Sequence, residues 1–91
     1  MEIIGKLIEI LPIQTGEGKN GGVWKKQDII LEIEGTDATV SKRLCFALWN
    51  DRINPDLMEG STLRVSFEID SREHNSKWYT NLWAREVEYA A

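Results

Sequence analysis

The residues with the most chemical potential in this chain are its tryptophans and the cations beside them. In "HNSKWYTNLWARE", residues 74–86, Trp78, Tyr79 and Trp83 stand among Lys77 and Arg85. Trp24 precedes Lys25 and Lys26, and Trp49 follows Arg43 at an even spacing that puts both on one face of a strand. Indoles interleaved with lysine and arginine suit single-stranded nucleic acid. Each base stacks on a ring for about 1–3 kcal/mol, in a sequence-tolerant way, while the cations meet phosphates. Indoles also suit a protein interface, because tryptophan is enriched among binding hot spots.

Other chemistry has little to work with. One His and one Cys make a nucleophile–base pair improbable, and they fall short of the three or four ligands of a zinc site. No enzymatic activity, metal or cofactor is therefore expected, and no phosphate-cradling glycine motif is read in the chain. Cys45 alternates with Leu44 and Phe46 and reads as a packed strand thiol, and His74 reads as a solvated turn residue. Carboxylates at i, i+2, such as Glu32 and Glu34, Glu68 and Asp70, or Glu86 and Glu88, read as solvated strand faces.

The elements that must position these residues are short. Ninety-one residues, 42% of them apolar, make one domain spanning 1–91 that buries about 60–65% of its unfolded surface. The formal charge of −4 argues against a protein that coats duplex DNA. The cations are unevenly placed, however: Lys19, Lys25 and Lys26, then Lys42 and Arg43, then Arg72, Lys77 and Arg85. If these segments meet in space, they make a cationic track on an acidic body. With a lone cysteine, no basic leader and no long apolar run, the expected setting is the cytoplasm, away from membranes.

Frequent turns between short runs predict an all-β domain. Strands are expected over 2–13, with Gly5 a bulge or bend point, and over 23–34, 39–50, 61–71 and 77–89. "QTGEGKNGG", residues 14–22, reads as a loop too glycine-rich for a regular element. "GTDA" and "REHNS" read as turns, and residues 51–60 as a short helix or structured turn that Asp51 can cap. Gln27, Ile29, Leu31 and Ile33 share one strand face, Val40, Leu44, Phe46 and Leu48 are expected inward, and Leu63, Val65, Phe67 and Ile69 alternate cleanly against polar residues, with Phe67 in the core. Trp49 then either forms an outer platform or folds over the end of the barrel, and Trp24 either staples the glycine-rich loop or faces a ligand. In the last strand Trp78, Leu82 and Ala84 share one parity and Tyr79, Trp83 and Val87 the other, so alternation alone does not choose the inner face. Five strands also suit a small SH3-like barrel or an open meander, but a linking element between the third and fourth favours the order of an OB-fold, a five-stranded Greek-key barrel.

"GEGKNGGVWKKQDIILEIE", "KRLCFALWNDRI", "MEGSTLRVSFEIDSRE" and "SKWYTNLWAREVE" resemble a family of small OB-fold proteins of Bacteroidetes and their phages, the domain of unknown function DUF3127. More distantly, "RLCFALWNDRI" and "MEGSTLRVSFEIDSREHNSKWYT" are similar to bacterial single-stranded DNA-binding proteins. That likeness implies a stacking role for Trp49, with Arg43 on the same DNA-facing side. The resemblance to the smaller family, DUF3127, implies an order of Arg before and Trp after the last-strand alanine, where this chain has Trp83, Ala84, Arg85. The sequence ends at "EYAA" without a glycine- and proline-rich, acid-tipped tail, which leads one to expect an accessory or phage-type binder.

The resulting expectation is a homo-oligomer, dimer or tetramer, that binds single-stranded DNA, with RNA not distinguished. Trp24, Trp49 and Trp78 would stack, and Lys19, Lys25, Lys26, Arg43, Arg72 and Lys77 would meet phosphates. The alternative is an OB-fold protein-interaction module. Convergence of the cations around Trp49 would favour nucleic acid, and an acid-rimmed apolar patch would favour a protein partner.

Overall fold

Alternating apolar residues make strands here, and their pairing makes a closed ring. The computed structural model describes residues 1–34 and 41–90. The turn expected at "GTDA" and the inward position expected for Val40 lie outside them. The strands are β1 (Glu2–Ile10), β2 (Gln14–Glu17), β3 (Val23–Glu34), β4 (Ser41–Trp49), β5 (Thr62–His74) and β6 (Lys77–Tyr89). β1 pairs with β3, β3 with β4, β4 with β6, β6 with β5, and β5 with β1, which closes the circuit. All these pairs are antiparallel except β4–β6. The arrangement is all-β and OB-like, as expected, with one strand more than the five anticipated.

That extra strand is β2. It pairs with Val23–Lys26 on the edge of β3 that β1 uses further along, so it continues β1 past the break at Pro12. Local composition argued for a loop over 14–22, but the β3 ladder overrides it for Gln14–Glu17. Only the tip is a turn. Gly18 N–H donates to the Gly22 carbonyl at 2.6 Å, and Gly21 takes a φ of 78° that favours glycine.

β1 serves both halves of the ring, pairing with β5 through Lys6 and with β3 from Lys6 onward. The register slips between Leu7 and Glu9, so the bulge expected at Gly5 falls at Ile8. Gly5 has a different duty: a Cβ there would lie 3.0 Å from the Glu32 carbonyl oxygen and from Ile33 Cγ1.

The ring fills with Leu7, Ile29, Leu31, Phe46, Leu48, Leu63 and Val65, all fully buried. Phe46 meets Phe67 edge-on at 5.1 Å, a geometry worth about 0.5–1.5 kcal/mol beyond area burial. Leu57, from the segment between β4 and β5, closes one end and is buried. That segment begins with a single 3₁₀ turn, Asn50–Arg52, whose cap position is Trp49 with no side-chain bond. Asp51 therefore lies inside the turn and does not cap it. Ile69 extends the inward pattern of β5 past the end of the core and is 48% exposed. β5 and β6 continue beyond the ring as a hairpin arm whose residues 71–80 are all exposed. Only Asn75 and Ser76 separate its strands, both at positive φ, so the turn expected over five residues takes two. Among the described residues no helix is long and apolar enough to cross a membrane.

Candidate functional site

A bulge decides which side of β6 faces out. Ser66 pairs with Glu86 but Phe67 pairs with Ala84, so Arg85 is the extra residue and the side-chain parity of β6 reverses there. Leu82, Ala84 and Val87 all reach the core, although they do not share one parity in the sequence. Trp83, register partner of Ala47 in β4 and of Glu68 in β5, is left on the outer face.

The outer surfaces of β3, β4 and β6 thereby bring three tryptophans into a ladder. Trp24 and Trp49 have ring centroids 5.5 Å apart at 57°, and Trp49 and Trp83 are stacked at 5.5 Å and 30°. Registry explains the placement. Lys26 is opposite Trp49, which sets Trp24 diagonal to it, and Ala47 beside Trp83 sets that ring diagonal on the other side. Each flanking indole has a small residue next to it. A Cβ on Gly16, across from Trp24, would lie 2.6 Å from Trp24 Cε2, and Ala47 is buried between strand neighbours despite facing outward.

Trp49 thus neither stands alone as a platform nor folds over the barrel end; it is the centre of the ladder. Its indole Nε1 is shielded from solvent and has no hydrogen-bond partner among the described residues. An orphaned buried donor costs about 1–3 kcal/mol. Lys26 Nζ lies 5.8 Å from the Trp49 ring centroid and 3.7 Å from Asp28 Oδ1.

Beside the ladder is an open groove of about 570 Å³, lined by Trp49 and Trp83 together with Arg52, Arg72, Arg85, Glu68 and Asp70. The bulge turns Arg85 outward, where its Nη2 meets Glu68 Oε2 at 2.6 Å. That hydrogen bond, helped by the guanidinium charge, holds the Glu68 carboxyl below its ordinary range and raises Arg85 further. Arg72 Nε lies 3.1 Å from Asp70 Oδ2, and Arg52 Nε donates to the Arg85 carbonyl at 3.2 Å. Three cations and two carboxylates leave the groove weakly positive.

Of the residues singled out from the sequence, Trp24, Lys26, Trp49 and Arg72 come together here. The others do not. Lys25 has the opposite parity to Trp24 and Lys26, and its backbone N–H donates to Asn50 Oδ1 at 3.0 Å. Lys19 sits in the β2–β3 turn. Arg43 pairs with Glu32 at 3.7 Å, on the same face as Trp49 but roughly 20 Å along β4. Lys77 is opposite His74 near the tip of the arm. Trp78, opposite Glu73, is on the other face of the arm from Trp83 and is 69% exposed.

Trp83 and Arg85, noted in the last strand but given no stacking or phosphate role, join the site, and so does Arg52, which the sequence did not single out. Gly16 and Ala47 carried a readable signal for the ladder, since a small residue beside an outward indole marks where the ring lies down. Lys19, Lys25 and Arg43 do not converge on Trp49, whereas Lys26 and arginines from the linking turn, β5 and β6 do.

Two further sequence readings change. Cys45 is exposed on the outer face opposite Ile30, not packed, although desolvation by the sheet and then the nearby Asp28 charge push its thiol up. Gly16, Gly18 and Gly21 do carry G-x-G-x-x-G spacing. The run joins two antiparallel strands rather than opening a helix, so it lacks the helix N-terminus that holds a pyrophosphate. Among the described residues no three His, Cys, Asp or Glu side chains come together as a metal-binding group.

Residues 2–88 match the model of a family described as a domain of unknown function, DUF3127. No curated protein matches the chain.

Proposed function

We propose that this chain, which belongs to the DUF3127 family, is a non-enzymatic binder of single-stranded DNA that uses the outer face of β3, β4 and β6. The observation that carries the reading is the tryptophan ladder opening directly into an arginine-lined groove. Bases stack on the indole surface that the half-buried ladder leaves open, and phosphates pass Arg52, Arg72 and Arg85. None of these contacts reads a base edge, so binding is tolerant of sequence.

A second reading, a protein-interaction module, draws on one observation. Lys26, Arg72 and Arg85 each already have a carboxylate beside them, so the face is close to neutral. Titration of the tryptophan fluorescence with oligo-dT across a salt series separates the two. The first reading expects quenching, with log K falling against log salt at about −0.7 per phosphate contact. Absence of quenching at low salt removes it and leaves the interface reading.

A further inference from the structure

The hairpin arm leaves one backbone edge of β5 unpaired among the described residues. β1 stops following β5 at its N-terminus, where Phe67 N–H donates to the Met1 carbonyl and the Met1 ammonium donates to the Phe67 carbonyl. Beyond Phe67, β5 pairs only with β6, through His74. Backbone groups alternate along a strand, so those of Ile69, Ser71 and Glu73 point toward the side that β1 has vacated. Such an edge is a template for another strand.

We propose that a second copy of this chain fills it, with the two β5 edges pairing antiparallel about a twofold axis at Ser71. Side-chain charge selects this register. On the groove-facing side, β5 presents Glu68, Asp70, Arg72 and His74 in order. A twofold at Ser71 sets Asp70 opposite Arg72 of the partner subunit, twice, and Glu68 opposite the partner's His74. An axis at Asp70 would oppose the two Asp70 carboxylates, one at Arg72 would oppose the two guanidiniums, and one at Ile69 would set Glu68 against the partner's Asp70. Like charges directly opposite across a pair are destabilising. The Ser71 register is the one of these that has none.

The other face gains as well. Ile69, 48% exposed, comes beside the partner's Glu73, whose neighbour across its own hairpin is the partner's Trp78. An exposed isoleucine and an exposed indole thus approach within one sheet. A twofold interface uses the same patch on both subunits, as this one does. It also runs the two grooves into one surface, since Asp70 and Arg72 line each of them. The pairing rests on the edge and its charges and holds whether or not the groove takes nucleic acid.

Sedimentation of the full chain over a concentration series tests it. A wild-type dimer is expected, with Asp70→Arg and Arg72→Asp each raising the dissociation constant by at least about a hundredfold, because each sets like charges opposite one another. The double variant Asp70→Arg/Arg72→Asp restores opposite charges and returns the dimer. Ser71→Pro gives a second route to the same result. It removes an N–H that faces the partner and not β6, so the hairpin circular dichroism persists while the dimer is lost. A wild-type chain that stays monomeric to its solubility limit overturns the proposal. So does a dimer that either single charge variant leaves intact, or one that the double variant fails to restore.

Discussion

The two faces of β4 share one backbone ladder and differ in almost everything else. Inward, Phe46 and Leu48 are fully enclosed and Leu44 packs against them, with no polar atom to satisfy. Outward, Cys45 is exposed, Ala47 is roofed, and Trp49 holds an indole N–H that has no acceptor among the described residues. The inner face is finished when the ring closes. The outer face has a stacked pair, Trp49 and Trp83, and a tilted Trp24, all half-buried, with guanidiniums beside them. Stability is thus concentrated on one side of a strand, and the proposed binding face is the other.

The sharpest way to break this division is to exchange the expected consequences of the two faces. Phe46→Ala should lose about 3–5 kcal/mol in urea unfolding, since it empties the centre of the core and removes the edge contact with Phe67. Whatever fraction remains folded should still bind oligo-dT with the wild-type affinity. Trp49→Ala should cost less stability, about 1–3 kcal/mol, because its ring is only partly buried and its orphaned donor leaves with it. Its affinity for oligo-dT should fall about tenfold or more, the value of one stacking contact. Should Trp49→Ala unfold the chain while its folded remnant binds normally, the outer ladder would be a second core.

The same contrast explains what could be read beforehand. Alternation in Leu63, Val65 and Phe67 and in Ile29 and Leu31 marks an inner face directly, because a two-residue period has one meaning where one side is dry. Trp24, Lys26 and Trp49 fell on a common outer face by the same parity. β6 resisted because the bulge at Arg85 moves Val87 to the parity opposite Leu82 and Ala84, and a bulge is a property of the pair of strands, not of one. The outward placement of Trp83 and Arg85 was hidden by that single inserted residue. β2 was hidden for a related reason: Gln14–Glu17 looks like a turn until β3 provides its ladder. Arg52 came from a linking segment with no period at all, placed by the tight turn that begins at Asn50 with a φ of 52°.

A smaller effect probes how the outer face balances its charges. Glu68 holds Arg85 in the free chain at 2.6 Å, in the position a phosphate oxygen would take. Glu68→Gln should therefore tighten oligo-dT binding severalfold at low salt and steepen the salt slope by about 0.7, one more cation being free to release a counterion. The pair also carries a pH signature whose sign is fixed. Arg85 depresses the Glu68 carboxyl below the 4.5 of an ordinary glutamate. Its contribution to folding is therefore fully present above that value and disappears as pH falls through the lower folded value. Wild type and Glu68→Gln should differ slightly in melting temperature at neutral pH, with the wild type higher, and should converge as melts are taken below 4.5. Both side chains are exposed, so the difference should also shrink with salt. A gap that persists in acid or in high salt would mean that Glu68 supports the β5–β6 hairpin by packing, and that Arg85 is not a cation held in reserve for a ligand.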